Sequence, residues 1–217
     1  MRSPLLRRAT AATAALLTVT IWAAPGGWAQ SAEAPAAASD PALAEAEAGV
    51  RVVFDRASAA FNERDWPGFV ECVSPARRDE LVGQTAIGFA TMAQMDGADP
   101  RVAELVAEHL PKDLDPAELS MGSDDPRADR IRLAKRLAEP MDFFAQAMSL
   151  AFSLQYGEAM EQVKVTTLQN LSFDEPREHA AGEVTFQIPD DQRQDFWTFE
   201  KHEDAWYLSM QQPRRVQ

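Results

Sequence analysis

One cysteine, three histidines and two tyrosines in 217 residues leave few of the side chains that carry most site chemistry. Cys72 has no second cysteine to pair with, so no internal disulfide can form. Exported small domains often depend on disulfides. This one must be held by its core, and the roughly 175 residues after the leader and linker are enough for one. His109, His179 and His202 do not stand at the spacing of a metal pair, and no metal site is expected. The chain lacks a Gly-x-Ser-x-Gly elbow and a glycine-rich phosphate loop, so neither an activated serine nor a bound cofactor is expected. Positive charge is also scarce. Lysine and arginine number 21 against 34 aspartates and glutamates, a formal charge of −13. Such a surface repels phosphate backbones, which excludes nucleic acid as a partner.

What is present begins with a leader. Arg2, Arg7 and Arg8 form a positive start, and Ala9 to Ala24 is apolar around Leu16, Leu17, Val19, Ile21 and Trp22. Pro25-Gly26-Gly27 then breaks the helix, and Gly27 and Ala29 supply small residues for cleavage after Ala29. The alternative is an uncleaved anchor, but a membrane span needs roughly 20 apolar residues and this run is shorter. Membrane contact is therefore expected only through the leader, if it stays attached. No cysteine follows the apolar stretch, which argues against a lipid anchor. Loss of the leader's three arginines takes the formal charge from −13 to −16. The expected location is the periplasm or the exterior. Residues 30–39 are rich in alanine and proline and read as a flexible linker.

After the linker, helix starts share one grammar: a capping Asp or Ser followed by proline. They are Asp40-Pro41, Ser74-Pro75, Asp99-Pro100, Asp115-Pro116 and Asp125-Pro126. The cap oxygen satisfies free N–H groups, and proline has none to leave unpaired. Apolar stripes follow at helical spacing. Val50, Val53, Phe54, Ala57 and Phe61 mark the first, and Ser74 to about Met95 carries Leu81, Val82, Ile87, Phe89, Met92 and Met95. Val102, Leu105 and Val106 mark a short helix. Ile131, Ala134, Leu137, Met141, Phe144, Met148 and Phe152 mark a long stretch that Pro140 must break or kink.

Near Val163 the period becomes two. Val163, Val165, Leu171 and Phe173 share one parity, as do Val184, Phe186 and Ile188. Phe196 to Lys201 and Trp206 to Met210 complete four strands, the last two joined by His202-Glu203-Asp204. Short turns between successive strands give an antiparallel meander. Helices first and a sheet last define an α+β fold, in one domain over residues 40–217.

Two stretches resemble the nuclear transport factor 2-like (SnoaL-like) superfamily. Ala59-Ala60-Phe61-Asn62-Glu63-Arg64-Asp65-Trp66-Pro67-Gly68-Phe69 is similar to its first corner between helices. Phe196-Trp197-Thr198-Phe199-Glu200-Lys201 with Ala205-Trp206-Tyr207-Leu208 is similar to its last hairpin. The resemblance covers about a third of the chain beyond the leader and implies a bent sheet wrapped around a long helix, with a cavity at the open end. Ala205 stands where the family commonly has glycine. Residues 77–160 form a longer helical insert than usual, which would lid the cone or fill its pocket. The superfamily holds isomerases, dehydratases and cyclases beside many non-catalytic members, and fold alone does not choose between them. No catalytic residue of the family carries over to a matching position.

The candidate residues follow from this picture. Trp197, Phe199, Trp206 and Tyr207 divide between the sheet faces, and those on the concave side are core or pocket wall. With Asp142 they form the expected ligand-binding set. Asp142 and Glu158 on helices, and Asp195 and Glu200 on strands, are the carboxylates to check for a raised pKa and a general-base role. His109 lies on an apolar face near a helix end, the setting of a packed or carbonyl-bonded ring, while His179 and His202 fall in polar turns. Met92, Met95, Met141 and Met148 sit on apolar stripes and read as core filling rather than copper ligands. Cys72 reads as a buried thiol, and Asn170-Leu171-Ser172 as an idle glycosylation sequon.

The reading these features favour is an exported, non-catalytic domain that binds a small ligand or an envelope protein; a homodimer is also open. The alternative is an isomerase- or dehydratase-type enzyme using a cavity carboxylate. A third is a scaffold subunit, which requires an exposed apolar patch of several hundred Å². A packed cone interior counts against the enzyme. A deep pocket with a buried, raised-pKa carboxyl beside a Tyr, Trp or His donor counts against binding alone.

Overall fold

The computed structural model describes residues 40–113 and 125–210, so the leader, the linker and the Asp115-Pro116 helix start lie outside the described residues. Within them, helices begin at the other Asp-Pro and Ser-Pro pairs. Helix α1 (Pro41–Glu63) is capped by Asp40, whose carboxylate accepts the Ala42 N–H at 3.0 Å. It buries Val50, Val53, Phe54, Ala57, Ala60 and Phe61 and stops at Arg64, a left-handed residue with φ 63°. Asp65 starts α2 (Trp66–Cys72) by accepting the Gly68 N–H. Helix α3 (Pro75–Ala93) follows Ser74, whose hydroxyl makes no capping bond. Helix α4 (Pro100–His109) and helix α5 (Pro126–Ala134) are capped by Asp99 and Asp125. Pro140 ends the long apolar stretch as a break: α6 (Pro140–Tyr156) is a separate helix, preceded by Glu139 with φ 55°. A 3₁₀ turn, Gly157–Gln162, leads into the sheet.

The sheet is an antiparallel meander of β1 (Lys164–Phe173), β2 (His179–Ile188), β3 (Asp191–His202) and β4 (Ala205–Leu208), in that spatial order. With the helices ahead of it, the α+β fold is as the patterning predicts. Three details differ. Strand β3 begins five residues before Phe196, because the polar run Asp191 to Asp195 pairs with β2 from Ile188 back to Val184. Met95 lies beyond the end of α3 and is exposed rather than in the core stripe.

The third detail is the parity of β1, which is not continuous. Val165 and Leu168 are both buried although three residues apart. Register shifts between Val165 and Thr167, and again between Gln169 and Ser172, account for this. Each bulge adds one residue against the partner strand and reverses the alternation, so two restore it. The shared parity of Val165, Leu171 and Phe173 is thus real but interrupted. Gly182 on β2 lies opposite the second bulge. A Cβ there would lie 2.5 Å from Leu168 Cδ1 and 2.9 Å from Leu171 Cδ2.

The final turn is Glu203-Asp204, and its left-handed residue is Glu203, with φ 56°. Ala205 already belongs to β4, so no glycine is needed there. Helix α1 packs on β1 and β4, and α3 packs on α4, α5 and α6. Helix α6 joins the two regions: Phe143 and Phe144 are buried near its start, and Phe152 near its end meets the aromatic rings above the sheet.

Candidate functional site

The inner face of the sheet is the place where a cone-shaped domain would hold a ligand. Val165, Leu168, Val184, Phe186, Trp197, Phe199, Trp206 and Leu208 are buried there, because burial alternates along β2, β3 and β4 and the first bulge of β1 keeps both Val165 and Leu168 inward. Opposite them, α1 contributes Phe54 and Phe61, α2 contributes Trp66 and Phe69, and α6 contributes Phe152. These rings meet one another. Phe61 lies 5.4 Å from Phe152, 5.5 Å from Trp66, 5.8 Å from Phe186 and 6.2 Å from Phe69, each edge to face. Trp197 lies 5.7 Å from Phe54, 6.1 Å from Phe69 and 6.2 Å from Phe186. Edge-to-face pairs of this kind add about 0.5–1.5 kcal/mol each beyond the area they bury. Trp66 satisfies its indole by donating to Ser149 Oγ at 3.0 Å. The space a ligand would take is filled by side chains.

Of the expected ligand-binding set, the structure places Trp197, Phe199 and Trp206 on this inner face, at 6, 0 and 8 % exposure. Trp206 packs against Phe173 at 5.9 Å. Tyr207 alternates to the outer face and is half-buried, and Asp142 is exposed in the first turn of α6. The five do not converge. Among the carboxylates, Glu158 is exposed, and Glu200 is half-buried on the outer face, accepting from Ser209 Oγ at 3.2 Å.

Asp195 is different. It is 5 % exposed and shares its face with Trp197 and Phe199. Burial pushes its carboxyl up to about 6, opposed by the Phe196 N–H and by Arg193. Oδ1 accepts that N–H at 2.8 Å, while the Arg193 guanidinium stands 3.9 Å from Oδ2. A carboxyl that gains a proton near neutrality can hold or release one. A hollow among the described residues lies elsewhere. It measures about 260 Å³ and lies between α3 and α4, lined by Ala90, Ala93, Gln94, Val106, Ala107, Leu110, Pro111 and Lys112.

His109 is packed and bonded to a carbonyl as expected, whereas His179 and His202, expected in polar turns, stand at strand ends. His109 is buried at the end of α4, with Nδ1 3.0 Å from the Ala138 carbonyl oxygen and Nε2 3.3 Å from Gln146 Nε2. Its ring packs edge-on to Phe143. His179 is exposed at the start of β2, 2.9 Å from Asp174, and His202 is exposed at the end of β3. Among the described residues no three His, Cys, Asp or Glu side chains gather as a metal site, and no helix is long and apolar enough to cross a membrane.

Two residues outside the expected set hold the closed end of this region. Arg64 donates to the carbonyl oxygens of Phe61 at 2.7 Å, Val163 at 2.9 Å and Met160. Its guanidinium lies over the rings of Phe61, Trp66 and Phe152, between 5.3 and 5.9 Å from their centres. Desolvation lowers its pKa, with Glu161 acting in the opposite sense. Asn62, two residues before it, bonds to β1. The sequence signal was a polar pair at the end of an apolar helix, which is ordinarily a solvated end; the partners lie about a hundred residues away.

Compared with protein-family models, curated proteins and solved structures, the chain matches none.

Proposed function

We propose that the chain is an exported, non-catalytic domain of the nuclear transport factor 2-like kind with added helices, which binds a small ligand or a protein partner of the cell envelope through its outer surface. The packed inner face supports this reading most. Phe54, Phe61, Trp66, Phe69, Phe152, Phe186 and Trp197 are each under 9 % exposed and in ring contact with one another. Small-molecule enzymes need a concave chamber, commonly about 300–1,000 Å³, that buries most of the substrate. Here the candidate pocket wall is core.

One observation favours the second reading, an isomerase- or dehydratase-type enzyme. Asp195 is a buried carboxyl with a pKa raised to about 6, two residues from Trp197 on the same face. That is the tuning a general base requires.

Native mass spectrometry of the protein isolated from the envelope of its host separates the two. The binding reading expects a leader-free mass, either with a protein partner or with a small molecule released chemically unchanged. A co-purifying molecule that the wild-type protein converts to product, and that Asp195→Asn leaves intact, would overturn it in favour of the enzyme.

A further inference from the structure

We draw no further inference here: the strongest candidate, the apolar groove of about 260 Å³ between α3 and α4 walled by Ala90, Ala93, Val106 and Leu110, has a single lysine, Lys112, in its lining, and nothing in the structure shows what covers it.

Discussion

The side chain of Asn62 pairs with both backbone groups of Val165, donating from Nδ2 to the carbonyl at 2.9 Å and accepting the N–H on Oδ1 at 2.8 Å. The carboxamide thereby acts as one more peptide unit on the open edge of β1, beside the first bulge. An unpaired strand edge invites pairing with other chains, and a bulge with a side-chain cover blunts it. Lys164 adds a bond from Nζ to the Asn62 carbonyl oxygen at 2.7 Å, so the end of α1 and the start of β1 are tied three times.

Replacing this amide should cost stability in a graded way. Asn62→Ala removes both bonds and leaves two part-buried backbone groups unpaired, a loss of about 1–3 kcal/mol. Asn62→Asp keeps the acceptor but turns a charged oxygen toward the Val165 carbonyl, so at pH 7 it should be at least as damaging. Urea unfolding followed by tryptophan fluorescence measures both. A wild-type midpoint for Asn62→Ala would show that the tie carries no stability.

Asp195 should make the fold weaker as pH rises. Its folded pKa of about 6 is above the ordinary aspartate value. The favourable state is therefore the protonated one, fully present below about pH 4 and lost as pH rises through about 6. Asn keeps the acceptor for the Phe196 N–H without the charge. Asp195→Asn should match wild type near pH 3.5 and exceed it at pH 7.5, by on the order of 2 kcal/mol. Paired denaturant curves at the two pH values decide it. A variant less stable than wild type at pH 7.5 would mean that the ionised carboxylate is held by a favourable partner.

Two glycines in α3 should respond to alanine in opposite directions. A Cβ at Gly83 would lie 1.9 Å from the Arg130 carbonyl oxygen, a backbone atom that can move only if α5 moves. Gly83→Ala should separate the two helices and cost more than 2 kcal/mol, in the range of overpacked cores. Nothing lies within 4 Å of a Cβ at Gly88. Gly88→Ala should stabilise by up to about 1 kcal/mol through helix propensity alone. Thermal melts of both variants check the contrast, and a destabilised Gly88→Ala would show that propensity does not govern there.

The lone thiol should be slow to react. Cys72 is 2 % exposed, its Sγ lies 3.4 Å from the Gly68 carbonyl oxygen, and burial raises its pKa. The thiolate is the reactive form. Titration with an aromatic disulfide reagent at pH 8 should proceed at least about tenfold more slowly than in 6 M guanidinium, where the thiol is free. Equal rates, or a disulfide-linked dimer on a non-reducing gel, would contradict a buried thiol.

Removing the Arg64 guanidinium should loosen the junction between the end of α1 and the start of β1. Arg64→Lys retains the charge but cannot span the carbonyls of Phe61, Met160 and Val163 together, since an ammonium lacks the planar fork. It should lower the unfolding midpoint and speed amide exchange at Val163 and Val165 relative to β1 from Leu168 onward. Unchanged exchange at those two amides would reduce the contacts of Arg64 to surface decoration.

Local chemistry made much of the fold readable from the sequence. Capping oxygens and prolines act within four residues, so helix starts at Asp40, Asp99 and Asp125 could be read directly, as could the corner at Asp65; at Ser74 the proline marked the start without a capping bond. Period two marked the strands for the same reason: alternation is a property of neighbours. The β1 bulges could not be read this way, because an inserted residue shows only against a partner strand, here around Gly182. Exposure of Met95 also escaped the stripe, since it depends on where α3 ends.

The candidate site divides along the same line. Residue types alone excluded an internal disulfide and fixed a strongly acidic formal charge, and they set no expectation of a histidine metal pair or a phosphate loop. Whether Trp197 and Trp206 line a pocket or fill a core was decided only by tertiary structure, because it depends on Phe54 and Phe69 arriving over Trp197 from different helices and on Phe173 of β1 meeting Trp206. The burial that shifts Asp195 is likewise collective. No single neighbour in the sequence desolvates a carboxyl; a packed sheet face does.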